Sequence, residues 1–252
     1  MRVLALDSSA SRLSVAILQF SDTGVVTADS AVSLNDEIRH AEQLLPAIEY
    51  VLTKSGLRVP EIDLVVVAAG PGSFTGLRIG FSTAKGLLAA GASDYLAVPA
   101  ADCYATGLSV YPGLVVPVLD ARKRRWYGAL YHTAQRLSTY LDLAAEDLVR
   151  LIETQHQHVA PPLITGPDAA VFLEQLRSNR EGAAPEYRLD PRHLEGIAPI
   201  LAKEGRRRYL EGERTPEDAG PDYLRMSEAE IGIRQRGHSN EADTTTRALG
   251  LE

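Results

Sequence analysis

One cysteine, Cys103, is all the chain has among its 252 residues, so no disulfide can form within it. A lone cysteine is more often a small buried apolar residue than a nucleophile, and that is the expectation for Cys103. No apolar run reaches the roughly 18 to 20 residues that a membrane span needs. The opening stretch Arg2-Val3-Leu4-Ala5-Leu6-Asp7 is too short, and too acidic at its end, to read as a signal peptide. A cytoplasmic location and no membrane contact are therefore expected. An excess of positive charge is lacking too. The formal net charge is −7, which argues against nucleic-acid binding by the chain as a whole. Several catalytic signatures are missing. No Gly-Lys-Ser/Thr follows any glycine-rich turn, which excludes a phosphate-gripping P-loop. No Gly-x-Ser-x-Gly elbow occurs, so a hydrolase has no visible nucleophile and base. His40 stands alone on its helix because position 44, four residues on, is leucine. His156 and His158 lie two apart with no third ligand in sight, and no metal site is expected.

What is present centres on Gly70-Pro71-Gly72-Ser73-Phe74-Thr75-Gly76-Leu77-Arg78-Ile79-Gly80. The run Leu64–Ala69 leads in as a buried strand, and a helix with Ser73 near its N-cap leads out. Gly76, Gly80 and Ala84 recur every four residues and so share one helix face. Each glycine costs a helix about 1 kcal/mol relative to alanine, so the repeat needs a reason. It marks either a bare strip for another helix or a close approach within the chain's own domain.

Taken in order, strands are expected at 2–6, 13–18 and 25–32, then a helix capped by Asn35 or Asp36 and ended by Gly56. Pro46 is expected to bend that helix. Its apolar positions cover more than one stripe, leaving Leu44 and Val51 available on an edge. A strand over 62–69 and the glycine-striped helix complete the set. The same order restarts after Pro99. Strands are expected at 114–119, ending in Asp120, at 126–132 and at 137–141. A helix at 144–153, a strand at 163–165 and a helix capped by Asp168 follow. The pattern is α/β, with two lobes built from duplicated βββαβα units. The lobes are expected at 1–100 and 101–225, with a helix at 193–210 and Tyr223-Leu224 docking as a last extended piece. Residues 226–252 are polar and read as a disordered tail.

Asp7 and Asp120 end the first strand of each half. In a two-lobed sheet protein such turns face the interlobe cleft, where Asp7, Ser8, Ser9 and Asp120 are candidates for holding phosphate and metal-bound water. Gly166, before Pro167, is the one candidate for a turn that holds adenosine. The alternative is that each aspartate caps its own turn. The basic run Arg122-Lys123-Arg124-Arg125 before Trp126-Tyr127 is a candidate contact for RNA or a partner, or else a solvated hairpin tip.

Five segments together resemble the TsaB (YeaZ) family: Met1 to Ser9, Arg39-His40-Ala41-Glu42-Gln43-Leu44-Leu45-Pro46, Gly70 to Gly80, Asp120-Ala121-Arg122 with Tyr127, and Pro221-Asp222-Tyr223-Leu224-Arg225. The match covers residues 1–225 and is densest in the first 90. The resemblance implies an actin-like ATPase fold, of the ribonuclease H-like sugar kinase and Hsp70 group. It implies a non-catalytic paralogue of TsaD in the complex that makes N6-threonylcarbamoyladenosine at position 37 of tRNAs reading codons that start with A. TsaD and TsaE are the implied partners, tRNA is met through the complex, and a homodimer is implied when TsaD is absent. ATP or ADP and metal would enter through the partners. In TsaD-like proteins a His-x-x-x-His pair holds the metal; Leu44 stands where the second histidine would be. The family's pairing helices fall at 36–54 and 73–90, which implies an interface of His40, Leu44, Val51, Gly76, Gly80 and Ala84. Gly80→Arg is accordingly expected to abolish TsaD binding and leave the chain folded. The run 122–125 departs from the acidic or neutral hairpin common in the family. The rivals are an ATP-dependent kinase or hydrolase working in the interlobe cleft, and a peptidase.

Overall fold

The computed structural model describes residues 1–35, 39–155, 160–178, 186–192 and 194–224. The first lobe is a five-stranded sheet. β1 (Arg2–Asp7), β2 (Arg12–Phe20) and β3 (Val26–Asn35) run as antiparallel neighbours, and β4 (Leu64–Ala68) and β5 (Tyr95–Val98) extend the other side in parallel, giving the order β3-β2-β1-β4-β5. β1 is central because its residues 3–7 are all buried; Leu4 pairs with Ile17 on one side and Val65 on the other. The unbroken Leu-Val-Val-Val-Ala of β4 suits a strand covered on both faces. Helices α1 (His40–Ser55) and α2 (Phe74–Ala89) cover one face of this sheet.

The second lobe repeats the order. β6 (Val115–Asp120) is central, with β7 (Arg125–Gly128) and β10 (Leu141–Ala144) antiparallel on one side and β11 (Leu163–Thr165) and β12 (Arg188–Leu189) parallel on the other. A small hairpin, β8 (Tyr131–His132) with β9 (Gln135–Arg136), hangs from β6. α4 (Ala145–Gln155) and α5 (Ala169–Ser178) pack on this sheet. Two copies of one strand order with helices at corresponding places are the actin-like arrangement, and the fold class stands as read from the sequence.

Several boundaries differ. β5, β12 and α3 (Ala100–Thr106) had no recognised signal. The strand expected over 126–132 is split into β7 and β8. No strand forms over 137–140: the Ser138 hydroxyl accepts from Leu130 N–H and Tyr140 reaches Asp102, so these polar groups are engaged away from a ladder. Asn35 ends β3 instead of capping α1, whose N-cap position is Arg39 with no capping hydrogen bond from its side chain; Asp36 lies outside the described residues. Gly56 does end α1, with φ 64°. The last helix, α6, runs Ala198–Leu210 and begins later than expected. Gly196 presses on β2 and β3, where a β-carbon would stand 2.4 Å from Ser14 Cβ, and this holds the preceding chain off a helical path.

α6 crosses back to the first lobe and packs on β1, β2, β4 and β5, opposite α1 and α2. Gly205 permits that approach, since a β-carbon there would meet Val66 Cγ2 at 2.4 Å. One apolar core joins Val3, Ala5 and Val66 of the first lobe to Leu119 and Tyr127 of the second through Leu201 and Ala202 of α6. The 226–252 tail lies outside the described residues.

Candidate functional site

α2 has an inner and an outer face, and the glycines lie on the inner one. Gly76, Gly80 and Ala84 are buried. A β-carbon on Gly76 would stand 2.0 Å from the Ser8 carbonyl oxygen, and one on Gly72 2.2 Å from that of Ser9. At Gly80 it would meet Ser8 Oγ at 2.9 Å and Val67 Cγ2 at 3.1 Å. Ser8 Oγ donates to the Gly76 carbonyl (2.8 Å) and Ser73 N–H to the Ser9 carbonyl (2.6 Å). The strip is therefore where α2 and its leading loop press on the β1–β2 turn of their own lobe. Ser73 caps the helix as read, accepting from Gly76 N–H at 3.3 Å. His40, Leu44 and Val51 are likewise buried, with Leu44 and Val51 at most 1% exposed. None of these six side chains or backbones faces solvent in this conformation. Gly80→Arg would place a long cation against Ser8 and Val67, and it is expected to destabilise the chain as well as the interface.

The outer faces of the same helices are open. Ala41, Leu45, Thr75, Arg78 and Ser82 are exposed, Leu45 at 61%, and Phe74, Ile79 and Thr83 are half-buried. Between α1 and α2 they leave a groove of about 460 Å³ lined by Ala41, Phe74, Thr75, Arg78, Ile79, Ser82 and Thr83. Its rim is a stack that sequence reasoning missed. The Arg78 guanidinium lies 4.0 Å from the Phe74 ring centroid, Arg78 Nε donates to the Tyr223 hydroxyl (3.0 Å), and the two rings are 4.6 Å apart. Asp222 N–H donates to the Ala69 carbonyl (3.0 Å), so the segment 221–224 docks beside the Gly70 turn. The spacing of Phe74 and Arg78, four apart on a helix, was the available signal; Tyr223 arrives from 145 residues away.

At the strand ends facing the other lobe, the candidate aspartates are bonded to the chain's own groups. Asp7 is 1% exposed, and its Oδ1 accepts from Ser9 N–H (2.9 Å) and Ser9 Oγ (2.6 Å). The Asp120 carboxylate accepts from Arg122 N–H (2.7 Å), while Asp120 N–H donates to Asp168 Oδ2 (2.8 Å). Ser11 Oγ donates to the other Asp168 oxygen (3.3 Å), so Asp168 links the two lobes. The donors that a phosphate would use at both strand ends are thus given to carboxylates. Gly166 has φ 98° and lies against β6, where a β-carbon would be 2.5 Å from the Val118 carbonyl oxygen; packing accounts for this glycine.

Burial holds the Asp7 carboxyl above the ordinary 3.8, against the opposing effect of its Ser9 hydrogen bonds and of nearby His40. The folded state keeps this proton in a range where the unfolded chain has released it. The associated stability is complete below that value and declines as pH rises through the folded pKa. Asp7→Asn retains an oxygen for both Ser9 bonds and removes the titration. Thermal melts should therefore show the variant equal to wild type near pH 4 and more stable at pH 7; a variant less stable at pH 7 would contradict this account.

The remaining candidates separate clearly. His40 is 5% exposed, its Nε2 has no hydrogen-bond partner among the described residues, and it shares the buried face of α1 with Leu44. Among the described residues no group of three or more His, Cys, Asp or Glu is placed to hold a metal. His156 and His158 lie outside them. Cys103 is fully buried, and burial followed by the Glu204 charge raises its thiol well above the ordinary range, so it behaves as a core residue. The run 122–125 forms the β6–β7 hairpin tip: Arg125 N–H donates to the Arg122 carbonyl and Ala121 N–H to that of Arg125. Trp126 and Tyr127, 3% and 8% exposed, belong to the core and present no ring to a nucleic acid. No helix among the described residues is long and apolar enough to cross a membrane.

Comparison with known proteins places these features in a family. A family model described as TsaD, tRNA N6-adenosine threonylcarbamoyltransferase, matches residues 35–164. The tRNA threonylcarbamoyladenosine biosynthesis protein TsaB of Bacillus subtilis (strain 168) is 28% identical over 239 residues, 91% of this chain and 96% of that one. The protein of the same name from Escherichia coli (strain K12) is 32% identical over 136 residues, a match spanning 52% of this chain and about half (55%) of that relative. Among solved structures, YeaZ from Pseudomonas aeruginosa aligns with a TM-score of 0.68 at 23% identity, covering 88% of this chain and 99% of that one, which shows a shared fold.

Proposed function

Because the chain belongs to the TsaD-related TsaB/YeaZ family of tRNA threonylcarbamoyladenosine biosynthesis proteins, we propose that it is a non-catalytic subunit that binds and activates TsaD. What carries the reading is the two-sided α2. Its inner glycine face seats the helix on the β1–β2 turn, and its outer face, with α1, offers a groove of small and apolar residues to a partner helix. The interface therefore consists of Ala41, Leu45, Ile79, Ser82 and Thr83, with the Phe74–Arg78–Tyr223 stack at the rim. Aromatic and arginine groups beside a small-residue groove are the composition of an interface centre.

Chemistry belongs to TsaD in this reading. No second histidine stands four residues after His40, and the donors of Ser9, Asp120 and Arg122 at the two strand ends are given to the chain's own carboxylates; both observations favour a supporting role over the kinase, hydrolase or peptidase alternatives. ATP or ADP, metal, TsaE and tRNA are met through the complex, and the same groove serves a homodimer when TsaD is absent.

Ser82→Arg tests the assignment. Ser82 is exposed, so the variant should keep a melting temperature within about 2 °C of wild type while losing at least 100-fold in affinity for TsaD of the same organism, about 2.7 kcal/mol. Titration calorimetry reads the affinity, and wild-type binding by the folded variant would discard the groove.

A further inference from the structure

β3 is the outer strand of the first sheet, and among the described residues nothing pairs with its far side. It is 10 residues long, against roughly 5 or 6 in an ordinary strand, and its ladder to β2 is regular from Ala28 to Asn35. Every second residue of such a strand turns its N–H and C=O outward, which makes a template for another strand. Proteins ordinarily blunt an edge of this kind with lysine, proline or a bulge. β3 has no lysine and no proline, Asp29 is its one charged residue, and the register shift lies at its start, between Gln19 and Phe20 of β2. Thr27, Asp29, Ala31, Ser33 and Asn35, along one side of the strand, are all exposed.

From this edge we infer that two copies of the chain join through β3, antiparallel about a two-fold axis at Ala31. The side chains select both the occupant and the register. Val32 and Leu34 pack toward the core under α1, whereas Asp29 and Ser33 lie on the other side of the strand. Residues opposite one another in an antiparallel pair share a face. With Ala31 on the axis, Ala28 meets the partner's Leu34 and Ser30 meets the partner's Val32, so the apolar side continues across the contact. On the polar side Asp29 meets the partner's Ser33. Arg12 Nη1 donates to Ser33 Oγ (3.4 Å), and Arg12 Nε is buried with no hydrogen-bond partner. Neither Arg12 nor Asp29 has an ion pair among the described residues. The pairing therefore sets each Asp29 beside the guanidinium of the other copy, twice by symmetry. A register with Asp29 on the axis would instead oppose two carboxylates. The two-fold stands normal to the sheet, so the α1–α2 layers of both copies lie on the same face of one continuous sheet. The contact uses a sheet edge and not the groove between those helices, so the inference is independent of what docks there.

The test uses the full chain carrying Ser82→Arg, which removes association through the groove. Sedimentation velocity from about 1 to about 100 μM should show a reversible dimer. Adding Asp29→Lys should weaken that dimer about 10-fold or more, because the new cation meets the partner's Arg12. Asp29 is exposed, so the melting temperature should stay within about 2 °C. The native Cys103 is buried, so an introduced cysteine reports alone. Ala31→Cys should give a disulfide-linked dimer under mild oxidation, since the two β-carbons face each other at about 5 Å. Thr27→Cys should not, since the two positions stand about 27 Å apart along the paired strands. The inference is overturned if the Ser82→Arg chain is monomeric at about 100 μM, if the lysine variant dimerises as tightly as its parent, or if Thr27→Cys cross-links as readily as Ala31→Cys.

Discussion

Gly76→Ala is expected to destabilise the chain by about 3 kcal/mol, the upper end of what overpacking by one carbon produces. The reason is where the added carbon goes. It would stand 2.0 Å from the Ser8 carbonyl oxygen, a backbone atom that cannot rotate away, on a turn already held by Ser8 and Ser9 hydrogen bonds to the same loop. Alanine improves helix propensity by about 1 kcal/mol, which offsets only part of the clash. Gly86 on the same helix provides the contrast. It is exposed, and nothing lies within 4 Å of its missing β-carbon, so Gly86→Ala should gain up to about 1 kcal/mol. Urea titrations of both variants read the difference. Equal midpoints for Gly76→Ala and wild type would show that α2 does not press on β1–β2 as described.

Asp102→Ala should cost about 2–3 kcal/mol, below the loss typical of a fully buried charge network because this one is only partly buried. Asp102 on α3 accepts from the Tyr131 hydroxyl (2.6 Å), the Tyr140 hydroxyl (2.9 Å) and Arg208 Nη2 (2.8 Å), and lies 3.5 Å from Arg136 Nη1. It thereby ties α3, the β8–β9 hairpin and α6 together around a cavity of about 410 Å³. Burial and the neighbouring Asp102 charge raise both phenols above their ordinary range, which keeps them protonated as donors. Without the carboxylate the Tyr131 and half-buried Tyr140 hydroxyls lose their acceptor, and Arg208 keeps Glu204 (2.7 Å) and, at 4.0 Å, Glu213. Asp102→Asn preserves volume and an acceptor oxygen and should lose less. Equilibrium denaturation decides; an alanine variant within 1 kcal/mol of wild type would mean that the network closes without Asp102.

The sequence disclosed the architecture more fully than the site. Alternation and apolar runs are local properties, so the central strands β1, β4 and β6, the helices other than α3 and the duplication were legible from them. The capping of α2 by Ser73 and the end of α1 at Gly56 were legible for the same reason. The inner and outer faces of α2 were not. A four-residue glycine repeat states that something comes close, but whether that is Ser8 of the same lobe or another protein depends on contacts 68 residues apart. The same limit hid Asp168 bridging the lobes, the Tyr223 stack on Phe74, and the Asp102–Arg208 pair, which spans 106 residues. β12 and α3 were missed because they are short, 2 and 7 residues, and give periodicity little to act on. At 122–125 the composition was plain, whereas the left-handed backbone of Arg122, Lys123 and Arg124 leaves no mark in residue types.

The return of α6 to the first sheet has a consequence for biosynthesis. The ribosome delivers β1 to β5 and α2 long before α6, so one side of that sheet, including Val3, Ala5, Ala16 and Val66, waits uncovered while the entire second lobe is made. The first lobe cannot finish folding ahead of the second, contrary to the usual order in which N-terminal units fold as they emerge. Release of Leu201 and Ala202 from the exit tunnel is then the event that closes the core of both lobes at once. Until that moment the apolar face of the first sheet stays open to water in the nascent chain.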